Sequence, residues 1–263
     1  MTEYATLRSE ALSPHINLLT LNRPDAANAL NTQMGRDLMD YFEAVALAPD
    51  DLRCIVMTGA GDKAFCAGGD LKERNGMSDE AWHGQHVLFE RMFRAIIDCP
   101  VPVIAAVNGA AYGGGCEIAA CCDFVYAAEH ARFALTEVRL GIMPGGGGTQ
   151  NVARAVGERR AKEIIFSAKP FTAAEAHAWG LVNRVLPAAD LVKDATASAE
   201  AIAANAPISV RQAKQAIHRG LQMSLADGLA FEIEAYNRTV PTEDRREGVR
   251  AFNEKRPPRF KGR

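Results

Sequence analysis

Two glutamates in this chain interrupt apolar stretches beside clusters of glycine. In "GAAYGGGCEIAACCDF" (109–124), Glu117 follows three consecutive glycines and one cysteine and opens an apolar run. In "ALTEVRLGIMPG", Glu137 stands just ahead of a glycine turn. A further glycine-rich stretch, "CAGGD" (66–70), lies upstream. Glycine lets the backbone approach a ligand and aim N–H groups at it with no side chain in the way. If "CAGGD" and "GGGCE" (113–117) each give one N–H, the pair forms an oxyanion hole, and a helix starting after Gly115 adds its positive end. Each donor in such a site contributes roughly 3 to 4 kcal/mol to a transition state in which a carbonyl gains charge. Acyl transfer would also need a nucleophile, and there is no GxSxG elbow and no Ser or Cys with a partnered His. Enolate chemistry needs acid and base groups instead. Two carboxylates can divide that labour, one ionised and taking a proton from water, the other protonated and giving one to carbon. This is the requirement for adding water across a double bond conjugated to a carbonyl.

Each feature also has a plainer reading. A lone Glu at a helix start commonly only stabilises the dipole, and glycine triplets are commonly tight turns. The combination of two glycine loops with two glutamates, each at the end of an element, points to a site. "PGGGG" (144–148) lacks the GK[ST] of a phosphate loop, and no GxGxxG follows a strand, so Gly145 reads as a close-approach position in that site. His83 and His86 in "WHGQH" read as exposed helix residues, and no metal site is expected. The basic end, with Lys255, Arg256, Arg259, Lys261 and Arg263, reads as a solvated terminus in which Lys255 is best placed to meet a phosphorylated substrate.

The elements that must position these groups are legible in outline. "HINLLTLNRP" reads as a strand ending at Pro24. The spacing of Leu30, Met34, Leu38, Phe42 and Val45 predicts a helix closed by Pro49. "LRCIVMTGAGDKAFCAGGDL" reads as strand, turn and glycine loop, followed by a helix from Ser78, its N-cap, to about Asp98. "VPVIAAVNGAAYGGGCEIAACCDFVYAA" repeats that format, and "FALTEVRLGIMPGGGGTQNVARAVG" makes a third unit. Both glycine loops fall at strand ends, where α/β architectures place ligands. Beyond residue 157 the pattern is mostly helical, with a capping box at Thr172 and Glu175, a stop at Gly180 and a short strand in "LVNRVL". A core over 1–186 and a helical region over 187–263 follow, the latter packing on the core or on another subunit.

The 263 residues are 48% hydrophobic and 24% charged, which suits a globular α/β protein with a large core. A formal net charge of −2, from 30 basic and 32 acidic residues, gives no overall reason to bind nucleic acid or an anionic membrane. No apolar run is long enough to span a bilayer, and the first residues lack a signal-peptide layout, so a cytoplasmic location is expected. The six cysteines lie mostly in apolar stretches without metal-ligand spacing and read as reduced and buried.

Along essentially its whole length the chain resembles the crotonase, or enoyl-CoA hydratase/isomerase, family. The resemblance rests on "KAFCAGGDLKE", "AAVNGAAYGGGCEIAACCD", "FALTEVRLGIMPGGGGTQ", "TAAEAHAWGLVNRVLP" and "PTEDRREGVRAFNEKRPPRFKG". It implies a spiral of repeated ββα units with a helical C-terminal region that builds homotrimers, commonly paired into hexamers. It also implies an acyl-CoA thioester substrate and no cofactor beyond the coenzyme A of the substrate. The oxyanion donors would be the N–H groups of Gly69, where many relatives have alanine, and Gly114. Ala67, Asp70 and Leu71 would line the coenzyme path with Ala26 and Ala27. The two glutamates match positions that are both glutamate in the hydratases, with Glu117 as base, Glu137 as proton donor and Gly145 helping to hold the water. Phe252 and Lys255 match positions near the nucleotide end of the coenzyme, reached from a neighbouring subunit. Walls of the acyl pocket are expected from the 75–95 segment. The motifs are most similar to those of methylglutaconyl-CoA hydratases, some of which bind AU-rich RNA through a lysine row on the first helix. Thr32, Arg36 and Asp40 occupy that face here, so no nucleic-acid partner is expected. The expected activity is hydration of a trans-2-enoyl-CoA to a 3-hydroxyacyl-CoA. The alternatives are methylglutaconyl-CoA hydration, enoyl isomerisation or a non-catalytic RNA-binding role.

Overall fold

The computed structural model describes residues 3–263. Its first strands, β1 (Leu7–Ser13) and β2 (Ile16–Leu21), form an antiparallel pair. Helix α1 (Thr32–Leu47) starts on Asn31, whose side chain accepts from the Met34 N–H, and it buries Met34, Leu38, Phe42 and Val45. Then come β3 (Cys54–Gly59), β4 (Ala64–Cys66), the single turn α2 (Leu71–Arg74) and the long α3 (Asp79–Ile97). Ser78 caps α3 by accepting from the Ala81 N–H, with Asp79 and Glu80 in the first turn, where the helix dipole favours them. The next unit is β5 (Val103–Val107), β6 (Ala110–Tyr112) and α4 (Gly114–Cys121). The third is β7 (Phe124–Ala128), β8 (Arg132–Ala134), a 3-10 turn over Glu137–Leu140 and α5 (Gly148–Val156). After α6 (Glu158–Ser167), β9 (Phe171–Thr172), α7 (Ala173–Ala178) and β10 (Arg184–Leu186), only helices follow: α8 (Leu191–Ala203), α9 (Pro207–Gly220), α10 (Leu225–Asn237) and α11 (Glu243–Asn253).

The repeat seen in the sequence is a repeat in space. Each unit gives its first strand to a six-stranded sheet, ordered β1-β2-β3-β5-β7-β10, and its second to a four-stranded sheet, ordered β4-β6-β8-β9. The central strands run parallel, and every residue of β3 and β5 is buried, which is why they read as unbroken apolar runs. The chain therefore winds as a ββα spiral. The loops after β4 and β6, which hold the two glycine motifs, lie side by side because β4 and β6 pair in parallel. All six cysteines are free and buried.

The helical region divides in two. Leu191, Ala195, Ala199 and Ala203 of α8 form a buried stripe of mostly small residues that packs on β2, β3, β5 and β7, so this helix belongs to the core although it lies beyond residue 186. Helices α9 and α10 pack on each other. The basic end, read as a solvated terminus, is tied down along its backbone. The N–H groups of Lys261 and Gly262 donate to the buried Asp244 at 2.6 and 2.8 Å, and Arg53 donates to the Phe260 carbonyl at 2.9 Å. The side chains of Lys255, Arg259 and Lys261 remain exposed.

Candidate active site

Gly113 and Gly115 allow the end of β6 to pass the end of β4 at close range. Gly113 has φ 49° and ψ −122°, a backbone region that side chains exclude, and its N–H donates to the Ala134 carbonyl at 2.8 Å. A methyl group on Gly115 would collide with the Cys66 carbonyl. This approach brings the start of α4 against Gly68 and Gly69. A Cβ built on Gly114 would lie 3.9 Å from the Gly69 nitrogen, and one on Gly68 would lie 3.5 Å from the Gly114 nitrogen. Among the described residues, neither the Gly69 nor the Gly114 N–H has a protein acceptor. The first belongs to a loop held by flanking bonds between Leu30 and both Gly68 and Asp70, and the second is an unmatched donor at a helix start.

Glu117 lies on the next part of α4 and is buried. One of its oxygens, Oε1, accepts from the N–H groups of Gly146 at 2.7 Å and Gly148 at 2.8 Å. Burial pushes its carboxyl up to about 7; the two N–H groups pull it down, and the charge of Glu137 adds to the rise. Glu137 opens the 3-10 turn with both carboxyl oxygens buried and, among the described residues, without a hydrogen-bond partner. Burial raises its pKa as well, offset only in part by the backbone around Thr136 and Glu137. A Cβ on Gly113 would sit 3.3 Å from its Oε1. Two acids in different environments thus share one site: burial raises both, and Glu117 keeps two N–H donors on Oε1 while Glu137 has none.

Both acids and both free donors line one cavity of about 480 Å³. Its walls include Ala67, Leu71, Gly145 and Gly146, and from α3 Trp82, His86, Phe89 and Phe93. Among the expected site residues, the fold gathers Glu117, Glu137, Gly69, Gly114, Gly145, Ala67 and Leu71 around this space.

A comparison with known proteins meets this geometry at full length. The profile described as "Enoyl-CoA hydratase/isomerase" matches residues 12–263. The chain belongs to the enoyl-CoA hydratase/isomerase family. It is 43% identical over 241 residues to the short-chain-enoyl-CoA hydratase of Clostridium acetobutylicum, covering 92% of each chain. It is 39% identical over 261 residues to the mitochondrial enoyl-CoA hydratase of Pongo abelii, covering 98% of this chain and 88% of that one. The crystal structure of an enoyl-CoA hydratase from Bacillus anthracis matches with a TM-score of 0.96 at 43% identity, over 98% of this chain and all of the other. The crotonase-type spiral is therefore the fold of this family member.

Five expected contact residues stand outside the cavity of this family member. Ala26 ends a 3-10 turn, and Ala27, at φ 49°, accepts at its carbonyl from the Ala67 N–H at 3.1 Å. Asp70 caps α2, accepting from the N–H groups of Lys72 and Glu73, and pairs with Arg23 at 2.9 Å. Phe252 is 83% exposed on α11, and Lys255 follows at φ 54°, also in solvent. Within a single chain neither reaches the acids.

His83 and His86 are exposed, as the sequence predicts, and they have a further role. Both line the cavity, and the His86 ring fills the space a side chain at position 145 would need, its Cε1 lying 2.6 Å from a Cβ built on Gly145. The 75–95 segment does form a wall, and a signal for it is present in the sequence: Trp82, His86, Phe89 and Phe93 recur at the spacing of one helical face. Arg74, which also lines the cavity, and buried Gln85, which accepts from its Nε, carry no such signal.

Proposed function

We propose that this protein is an enoyl-CoA hydratase that adds water to a trans-2-enoyl-CoA to give a 3-hydroxyacyl-CoA. The observation that carries the reading is the convergence, on one cavity, of two unclaimed backbone donors with a hydrogen-bonded Glu117 and an unpartnered Glu137. The thioester oxygen accepts from the Gly69 and Gly114 N–H groups. Ionised Glu117, anchored through Oε1, uses Oε2 to take a proton from a water beside Gly145. The water oxygen bonds to the β-carbon, the π pair moves to give an enolate, and the two donors stabilise the charge on its oxygen. Protonated Glu137 delivers its proton to the α-carbon. One water is consumed, one C–O and one C–H bond form, and proton exchange with solvent restores both acids.

The isomerase reading, also present in the family, needs only one proton-shuttling acid, and the second buried carboxyl favours hydration. An RNA-binding role gains nothing from α1, whose exposed face carries Arg36 and Asp40 together. No helix among the described residues is long and apolar enough to cross a membrane, and a cytoplasmic location remains part of the proposal. The exposed Leu225, Ile233 and Tyr236 on α10 support a homotrimer, or a hexamer of two trimers, in which Phe252 and Lys255 serve the neighbouring subunit's coenzyme.

Incubation with crotonyl-CoA should abolish the absorbance of the conjugated thioester. Glu117→Gln and Glu137→Gln should each lower kcat by about 10²-fold or more, the usual scale for a positioned acid or base, while both still bind acyl-CoA. Hydration by both variants at the parent's rate would refute the assignment.

A further inference from the structure

The loop over 144–148 presents the Gly146 and Gly148 N–H groups to Glu117 Oε1. Four of its five residues are glycine, so the loop has little conformational preference of its own, and aiming two donors at one oxygen depends on outside contacts. Two side chains of α4 provide them. Cys121 stands one turn beyond Glu117 on that helix, and residues four apart share a face. Its Sγ–H donates to the Gly146 carbonyl at 3.5 Å, so Glu117 takes the loop by its N–H groups and Cys121 takes it by a carbonyl. Asn151, in the first turn of α5, completes the hold. Its Nδ2 donates to Cys121 Sγ at 3.3 Å and lies 3.0 Å from a Cβ built on Gly147, which turns at φ 97°. The Asn151 N–H donates to the Gly147 carbonyl at 2.7 Å. With its sulfur engaged by the amide, the thiol keeps its one proton for Gly146, so donor meets acceptor at each step from Asn151 to the loop.

The Gly146 carbonyl belongs to the planar peptide that links Gly146 to Gly147, and this peptide lies between the two donors. Fixing its plane fixes how the N–H groups at 146 and 148 converge. We propose that Asn151 and Cys121 are positioning residues for Glu117: through the Gly146–Gly147 peptide they aim its two backbone donors, and so set the direction in which its free Oε2 faces the cavity. Neither side chain lines the cavity that holds the acids. The inference deepens the hydratase reading, in which Glu117 is the base. The competing role is packing alone, two side chains filling space between α4 and α5.

Infrared difference titration of the full-length protein separates these roles without turnover. The protonated Glu117 carboxyl is read as the C=O band that Glu117→Gln lacks, and in the parent it should fade with a half-point at about pH 7. Poorly aimed donors favour the carboxylate less. Asn151→Ala should therefore move the half-point up by about half a pH unit or more, part of what one hydrogen bond to a charged group contributes. That substitution alters none of the titratable groups around Glu117, which are Glu137 on the 3-10 turn, Cys116 and Cys121 on α4, and Arg74, His83 and His86 across the cavity. Cys121→Ala should act likewise, and Cys121→Ser, whose hydroxyl can accept from Asn151 and donate to Gly146, should keep the parent's half-point. A half-point unmoved in Asn151→Ala and Cys121→Ala, with only Tm lowered, would overturn the proposal, as would equal shifts in Cys121→Ala and Cys121→Ser. Asn151 is half-buried, and its variant decides should Cys121→Ala fail to fold. Crotonyl-CoA turnover tests the hydratase reading separately, and in an active parent Asn151→Ala should lower kcat about 2- to 10-fold with KM unchanged. A moved half-point without turnover in the parent sinks only the hydratase, and turnover with an unmoved half-point sinks only this inference.

Discussion

At Glu117, hydrogen bonding and burial act in opposite directions, and burial prevails by enough to bring the carboxyl to about 7 from an ordinary 4.5. The folded protein therefore holds this proton between pH 4.5 and 7, where the unfolded chain has released it. Stability from this group is fully present below about pH 4.5 and is lost as pH rises through 7. The shift is worth on the order of 3 kcal/mol. A glutamine keeps the oxygen that accepts from Gly146 and Gly148 and carries no charge to desolvate. Glu117→Gln should therefore raise Tm at pH 8 by several degrees while leaving it near the parent's at pH 4.5, as scanning calorimetry would register. A rise of equal size at both values would show that titration is not its source. In the parent, kcat/KM for crotonyl-CoA should climb with pH to a half-point near 7 as Glu117 ionises, as a pH series of initial rates would register.

Among the elements, the contact of α4 with the end of β4 sets the distance between the two N–H donors. Gly115 meets the Cys66 backbone directly, and no rotamer change can relieve an added methyl there. Gly115→Ala should cost about 1 to 3 kcal/mol, the usual range for overpacking, and should lower crotonase activity further than stability alone explains, because it separates Gly69 from Gly114. Gly84 gives the opposite result. It lies in the exposed interior of α3 with nothing within 4 Å of a built Cβ. Gly84→Ala should raise stability by about 0.5 to 1 kcal/mol in chemical denaturation, since it removes only chain entropy from the unfolded state. The pair separates a glycine required by packing from one that is only tolerated.

For the whole molecule, the apolar residues left in solvent concentrate at one end of the chain. Leu221 is 75% exposed, Leu225 80%, Tyr236 64% and Phe252 83%, on or beside α9, α10 and α11. A monomer of 28.4 kDa gains nothing from that surface, and association would cover it. Sedimentation equilibrium should give three or six times the chain mass. Tyr236→Asp should shift the protein toward monomer and raise KM for acyl-CoA on the order of tenfold, about 1.4 kcal/mol, if the neighbour's Phe252 and Lys255 hold the coenzyme. A monomeric parent with unimpaired KM would contradict both the assembly and the shared site.

The local periodicities decided much of this in advance. The α1 stripe, the Ser78 cap, the Thr172 capping box and the three-fold strand–loop–helix repeat all depend on neighbours within a few residues, and such interactions are written in spacing. Both acids and the glycine loops could be singled out for the same reason: a charge or a glycine run is conspicuous inside an apolar segment. Strand β1 had no such mark, because four of its seven residues are exposed and only Leu7 is buried, and the pairing with β2 defines it. The tie between the C-terminal backbone and Asp244, and the transfer of α8 to the core, depend on surfaces that meet only after folding. The orientation of Arg74 belongs to the same class. Its guanidinium is fixed by Gln85 and Trp82, which lie on the next helix, and a linear chain does not encode which of its many cations will be left with donors facing a cavity. Sequence thus determined which groups could do chemistry, through local contrast. The tertiary structure alone decided which of them share a cavity and which are used up in holding it together, because that depends on parallel strands bringing distant loops within a few ångströms of each other.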